Sequence, residues 1–268
     1  MEPQKKNFKI VTDKKSARVI LPNMLTLIGV CIGLTSIRFA LDGRFELAII
    51  AIIFAALIDG LDGRIARLIK GTSKVGKELD SLTDMISFGV APAFIMFFWK
   101  LNALGRFGWL LCLIYVICVA LRLARFNVNS NHEPSWRDNF FEGVPSPAGG
   151  ILVLTPLIIS LSGFDLYQLN YDIIVPVFFI GTSFLLISKF PTYSFKKIVI
   201  QRKTTIFLLF GIILFFGLLL IYPFNLIFIS SIVYLSMLPI SFIHYQKLKK
   251  QNEDYPDKQD EDDFEDVL

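Results

Sequence analysis

The chain has 268 residues, 54% hydrophobic and only 19% charged, with a mean hydropathy of +0.58, whereas a soluble domain carries about a quarter charged residues. A disordered tether is excluded by 26 phenylalanines, and a disulfide-stapled secreted module by having just three cysteines, Cys31, Cys112 and Cys118, all inside apolar runs. What remains is a polytopic membrane protein.

Residues 1–19 alternate basic groups with Phe8, Ile10, Val11 and Val19. They read either as an amphipathic helix on the membrane surface or as a solvated basic tail. No cleavable signal peptide is expected, because the first apolar run starts only after this polar stretch and lacks a small-residue cleavage site. Eight apolar runs approach the roughly 20 residues that a bilayer core of about 30 Å demands. They span about 20–41, 45–66, 79–99, 106–126, 146–163, 172–190, 205–222 and 226–245. The last two are joined by the turn signal Tyr222-Pro223-Phe224-Asn225. The fold class expected is therefore an all-α polytopic helix bundle with a transmembrane domain over 20–245.

Lys and Arg concentrate in alternate loops: residues 5–18, Arg64 to Lys77, Arg122 to Arg137, Lys196 to Lys203 and Lys247 to Lys250. The opposite loops offer little beyond Arg44, Lys100 and Arg106. The positive-inside rule then places both termini in the cytoplasm, in agreement with an even number of spans. The net charge of +4 hides an asymmetry, since residues 253–268 hold nine acids and one lysine. Without them the body carries 26 basic against 14 acidic residues. A basic body on an apolar chain points to an anionic leaflet rather than to nucleic acid. The stretch 246–268 reads as an acidic, disordered tail.

Four carboxylates break the apolar pattern. Asp59 and Asp62 close one run, and Asp80 and Asp84 open the next. Charged side chains in hydrocarbon cost several kcal/mol (about 3 or more), so such residues mark function. The spacings i, i+3 and i, i+4 put each pair on one helical face. Consecutive antiparallel helices bring the two faces together, and four anions there demand neutralisation. Hard oxygen ligands select Mg²⁺, Mn²⁺ or Ca²⁺, and two such ions form a clamp suited to displacement at phosphorus. Gly60, Gly63 and Ala66 let another backbone or a ligand approach that face closely, Arg67 offers a fork for phosphate, and Gly71-Thr72-Ser73 adds hydroxyls. A phosphate-bearing ligand with a divalent metal at the membrane surface follows from the residues alone. A cation transporter is the rival from another class, but it leaves the glycines and Arg67 without a role.

Written out, the segment is Asp59-x-x-Asp62-Gly63-x-x-Ala66-Arg67, eight residues, then Gly76-x-x-x-Asp80-x-x-x-Asp84. It resembles the signature of the CDP-alcohol phosphatidyltransferase family at every defining position. Leu21-Pro22-Asn23-Met24-Leu25-Thr26-Leu27-Ile28-Gly29 is similar to that family's first-helix pattern. Three further segments resemble its phosphatidylserine synthase branch: Glu78 to Asp84 running into Ser87-Phe88-Gly89-Val90-Ala91-Pro92, Arg122-Leu123-Ala124-Arg125-Phe126-Asn127, and Phe141-Glu142-Gly143-Val144-Pro145-Ser146-Pro147-Ala148.

The resemblance implies that Asp59, Asp62, Asp80 and Asp84 hold two divalent ions, Mg²⁺ or Mn²⁺, with Asp84 also the general base. It implies contacts from Pro22, Asn23, Gly63, Arg67 and Ser73 to CDP-diacylglycerol, L-serine as acceptor, phosphatidylserine and CMP as products, and a homodimer in the cytoplasmic membrane with its site facing the cytoplasm. A carboxylate base suits an alcohol nucleophile, which is weak while protonated. With no Cys or His in the motif, direct displacement is expected rather than a covalent enzyme intermediate. For Arg122, Arg125 and Asn127 two readings stand: binding the acceptor or lipid phosphate, or simply marking an inside helix end. Ser87 and Glu142 are lesser candidates for the acceptor. A sibling enzyme using glycerol 3-phosphate or an inositol phosphate would share the same metal residues.

Overall fold

The computed structural model describes residues 14–69, 71, 73–129, 140–163, 170–193 and 202–254. Residues 1–13 of the basic segment and residues 255–268 of the acidic tail lie outside them. The described residues form α1 (Lys14–Leu41), α2 (Phe45–Leu68), α3 (Lys74–Asp84), a π-helical segment (Met85–Val90), α4 (Ala91–Trp99), a 3₁₀ turn (Leu101–Leu104), α5 (Arg106–Asn129), β1 (Phe140–Glu142), α6 (Ser146–Leu161), α7 (Tyr171–Ile187), β2 (Pro191–Tyr193), α8 (Arg202–Ile221) and α9 (Pro223–Asp254). The chain is an all-α membrane bundle, and its one ribbon among the described residues is the short antiparallel pair β1–β2.

Each expected apolar run is helical, with informative shifts at the ends. The third begins at Lys74 rather than 79, because Ser73 caps it: in an extended conformation, its Oγ accepts from the Gly76 N–H at 2.9 Å. Pro223 is already the first residue of α9, where its missing N–H costs nothing, so only Tyr222 separates the last two helices. By length and apolarity four stretches suffice to cross a membrane: Ile20–Leu41, Lys74–Trp99, Arg106–Val128 and Pro223–Leu248. Three others (Ser146–Leu161, Tyr171–Ile187 and Ile206–Ile221) are apolar but shorter. In α2 the apolar run is cut at Asp59.

The core lies where α4, α5, α6 and α7 meet around Phe88, Tyr115, Leu154 and Phe179, all fully buried. Tyr115 and Phe179 meet edge-on with ring centroids 5.6 Å apart. Glycines set how closely the helices approach. A methyl on Gly33 of α1 would fall 2.5 Å from Ser87 Oγ and 3.1 Å from Ser87 Cα, and one on Gly150 would fall 3.2 Å from Phe88 Cα. The Gly149-Gly150 pair therefore serves close packing inside this chain. Helix α8 packs against α9 and exposes apolar side chains along its length, among them Phe207 and Leu220, as a lipid-facing helix must.

The π segment follows Asp84 directly. Its widened turn is served by Tyr115 of α5, whose hydroxyl donates to the Phe88 carbonyl at 2.7 Å. π turns of this kind are frequent at functional sites.

Candidate active site

The helical stretches from Phe45 to Asp59 and from Asp84 to Trp99 are of nearly equal length. At about 1.5 Å per residue each spans roughly 20 Å from the Phe45/Trp99 end of the bundle, so the antiparallel helices bring the two aspartates level. Carboxylate oxygens of Asp59, Asp62 and Asp80 all lie within 4.8 Å of one another. Asp84 joins them, within hydrogen-bond reach of Asp59. The four residues singled out from the sequence thus form one cluster.

Carboxylates packed this tightly repel unless protons or a cation intervene. The ion pairs Arg38–Asp42 and Lys100–Asp172 form elsewhere. Buried Asp84 Oδ1 has no hydrogen-bond partner among the described residues, an uncommon condition for a buried oxygen. An all-oxygen donor set with an orphaned oxygen beside it fits a hard divalent cation.

The walls of the cluster divide into open and closed sides. A methyl on Gly60 or Gly63 would meet nothing within 4 Å among the described residues, so none of these covers this face of α2. Arg67, one turn on, is exposed and donates from Nε to the Gly63 carbonyl at 3.1 Å. On the other side α1 closes in. Thr26, 4% exposed, donates from Oγ1 toward Asp62 Oδ2 at 2.8 Å, with the Pro22 carbonyl as its alternative acceptor at 3.0 Å. The Asn23 side chain lies over the start of α3, where a methyl on Gly76 would approach its Oδ1 to 2.8 Å. Ser73, expected at the nucleotide, has its oxygen engaged in the helix cap.

The two arginines three residues apart part company. Arg125 Nη1 donates to the Ile187 carbonyl at 2.7 Å and so caps the end of α7. Arg122 turns inward: its Nη1 donates to Ser146 Oγ, its Nε is buried without a partner among the described residues, and Asp84 lies in its field. Asn127 braces α5 against α3 through its Nδ2, which donates to Ser81 Oγ at 2.9 Å, while its carbonyl accepts from Lys77 Nζ at 3.3 Å. Ser87 is fully buried and donates to the Gly29 carbonyl at 3.3 Å, a packing role. The Glu142 backbone pairs with Pro191.

Thr26, against Asp62, and Ser146, against Arg122, are residues to which sequence reasoning, with both inside longer motif segments, assigned no role. Each is a small hydroxyl inside an apolar run or a Pro-rich turn, and its role is fixed only by what lies opposite.

The model of the CDP-alcohol phosphatidyltransferase family matches residues 19–180. The chain is 43% identical over 175 residues to the CDP-diacylglycerol--serine O-phosphatidyltransferase of Mycobacterium leprae, covering 64% of this chain and 57% of that one. It is 34% identical over 190 residues to the Helicobacter pylori protein of the same name, covering 71% and 78%. With the Bacillus subtilis protein of that name it shares 31% over 178 residues, covering 66% and 92%. It therefore spans less than two thirds of the mycobacterial relative's length.

Proposed function

This chain belongs to the CDP-alcohol phosphatidyltransferase family, and from that premise we propose that it transfers the phosphatidyl group of CDP-diacylglycerol to the hydroxyl of L-serine, yielding phosphatidylserine and CMP. The observation that carries the reading is the convergence of Asp59, Asp62 and Asp80, with Asp84 beside Asp59, next to the Gly60/Gly63 face.

Asp59, Asp62 and Asp80 would hold the divalent metal, Mg²⁺ or Mn²⁺ as two ions, with Asp84 at its edge. When bound, the metal offsets charge on the diphosphate and on departing CMP. The residues do the rest. The open glycine face and Arg67 receive the cytidine diphosphate, with Pro22, Asn23 and Ser73 lining the α1/α3 side. Asp84 accepts the proton of the serine hydroxyl as its oxygen bonds to the phosphorus carrying the diacylglycerol. The diphosphate P–O bond breaks on the opposite side, and the electron pair leaves with CMP. Thr26 keeps Asp62 in orientation, as hydrogen bonds to metal ligands do. In this reading the site faces the cytoplasm at the inner membrane, an orientation the basic loops support, with lipid tails in the bilayer and a second copy forming a homodimer.

The test is CMP release by the purified protein with CDP-diacylglycerol and Mn²⁺ or Mg²⁺, offering serine, glycerol 3-phosphate and inositol phosphate one at a time. Serine-dependent release, abolished by chelation and restored by metal, is expected. Release with another acceptor would overturn the choice of serine and keep the carboxylate chemistry. No release with any acceptor would overturn the reading.

A further inference from the structure

Ser146 is the first residue of α6 and is fully buried. Much local structure is devoted to placing it. The β1–β2 ribbon brings the chain across, and Thr192 of β2 donates to the Gly143 carbonyl at 2.9 Å. Gly143 then turns the chain at φ +76°, in a space where a methyl would fall 2.8 Å from the Ser188 carbonyl oxygen. Only glycine satisfies both conditions. Pro145 and Pro147 flank Ser146 at the helix start, and Gly149 and Gly150 seat the first turns of α6 against Leu186 and Phe88.

The direction of its hydrogen bonds follows from chemistry. A guanidinium only donates, so Ser146 Oγ must accept from Arg122 Nη1. Its own proton is then free, and the carboxyl of Asp84 lies within hydrogen-bond reach. Donation by a charged group to a hydroxyl strengthens the hydroxyl as a donor. The serine thus neighbours both a cation and an anion, which make no direct ion pair with each other among the described residues. In such a pair the forked guanidinium would engage both carboxylate oxygens. Among the described residues Asp84 Oδ1 and Arg122 Nε are both unengaged.

We propose that Ser146 is a positioning residue for phosphatidyl transfer: its hydroxyl, supported by Arg122, fixes the Asp84 carboxylate while holding the guanidinium off it, so that Oδ1 stays available to the acceptor hydroxyl. The inference rests on the function proposed above, with Asp84 as base. It assigns a role to a residue outside the carboxylate motif, on a helix that supplies no metal ligand.

The experiment compares the full-length wild type with Ser146→Ala and Ser146→Thr in detergent, measuring kcat and the KM for CDP-diacylglycerol and for serine. The alanine variant is expected to lose roughly 10- to 100-fold in kcat, the range for a hydrogen bond to a charged group, with the KM for CDP-diacylglycerol within about twofold of wild type. Threonine, which restores the hydroxyl, is expected to recover most of the loss. Unchanged kcat in Ser146→Ala would overturn the proposal, as would a loss confined to KM for CDP-diacylglycerol or a threonine variant no better than alanine. Absence of CMP release by the wild type would overturn both readings. Serine-dependent release by the wild type with undiminished turnover in Ser146→Ala would overturn this one alone.

Discussion

Replacing Gly33 by alanine and Gly63 by alanine should move stability in opposite directions. Both glycines lie in helix interiors, where alanine is favoured by about 1 kcal/mol through backbone entropy. At Gly63 nothing among the described residues lies within 4 Å of the new methyl, so that gain is expected in full. At Gly33 the methyl arrives 2.5 Å from Ser87 Oγ and 3.1 Å from Ser87 Cα. The oxygen can rotate away only by giving up its bond to the Gly29 carbonyl, a loss of about 1 kcal/mol. The Cα cannot rotate, so α1 must back off, an overpacking cost of about 1–3 kcal/mol. The net expectation is destabilisation of about 1–3 kcal/mol for Gly33→Ala and stabilisation of about 1 kcal/mol for Gly63→Ala. Thermal unfolding of the detergent-purified variants, followed by tryptophan fluorescence at one scan rate, should separate them by several degrees. Turnover should fall in Gly63→Ala despite its stability, because the methyl occupies the face assigned to the nucleotide. A Gly33→Ala protein melting at or above the wild type would refute the close-packing argument; a Gly63→Ala protein that melts lower would refute the open face.

Other expectations concern single groups. Asp84→Asn should abolish turnover while equilibrium binding of CDP-diacylglycerol persists; retained turnover would remove Asp84 as the base. Thr26→Val deletes the 2.8 Å hydrogen bond to Asp62, and the Mn²⁺ concentration for half-activation should rise about tenfold or more. An unmoved activation curve would show that Asp62 needs no such support. Tyr115→Phe leaves the Phe88 carbonyl buried without the donor it has at 2.7 Å, at a cost of about 1–3 kcal/mol. Unfolding should shift down with the metal response intact, and an unshifted melt would mean the π segment is held by other forces.

The helices and the carboxylate cluster were legible because their signals are long or redundant. An apolar run long enough to cross a bilayer has few alternatives, and four aspartates with helical spacing on neighbouring helices can meet only one way. The π segment was not legible. Met-Ile-Ser-Phe-Gly-Val reads as ordinary helix, and its extra residue is accommodated by Tyr115, far along the chain on α5. Arg122 and Arg125 looked alike for a similar reason. Their spacing says they share a side of α5, but the buried Ser146 and the end of α7, both distant in sequence, decide which points inward. The β1–β2 ribbon, three residues a strand, is too short to announce itself by alternation.

The π segment also determines where this protein can lose a residue. One residue turns an α-helix by about 100°, so deleting one between Asp80 and Asp84 or between Ala91 and Ile95 would swing one half of the 74–99 rod against the other. Either the aspartates would leave the cluster, or Ile95 and Met96 would leave the core. Within Met85–Val90 the same deletion only tightens a wide turn into an α turn, and both faces keep their phase. The rod therefore carries a single phase-neutral joint, placed between the half that does chemistry and the half that packs. Length variation among related chains in this helix should concentrate at that joint.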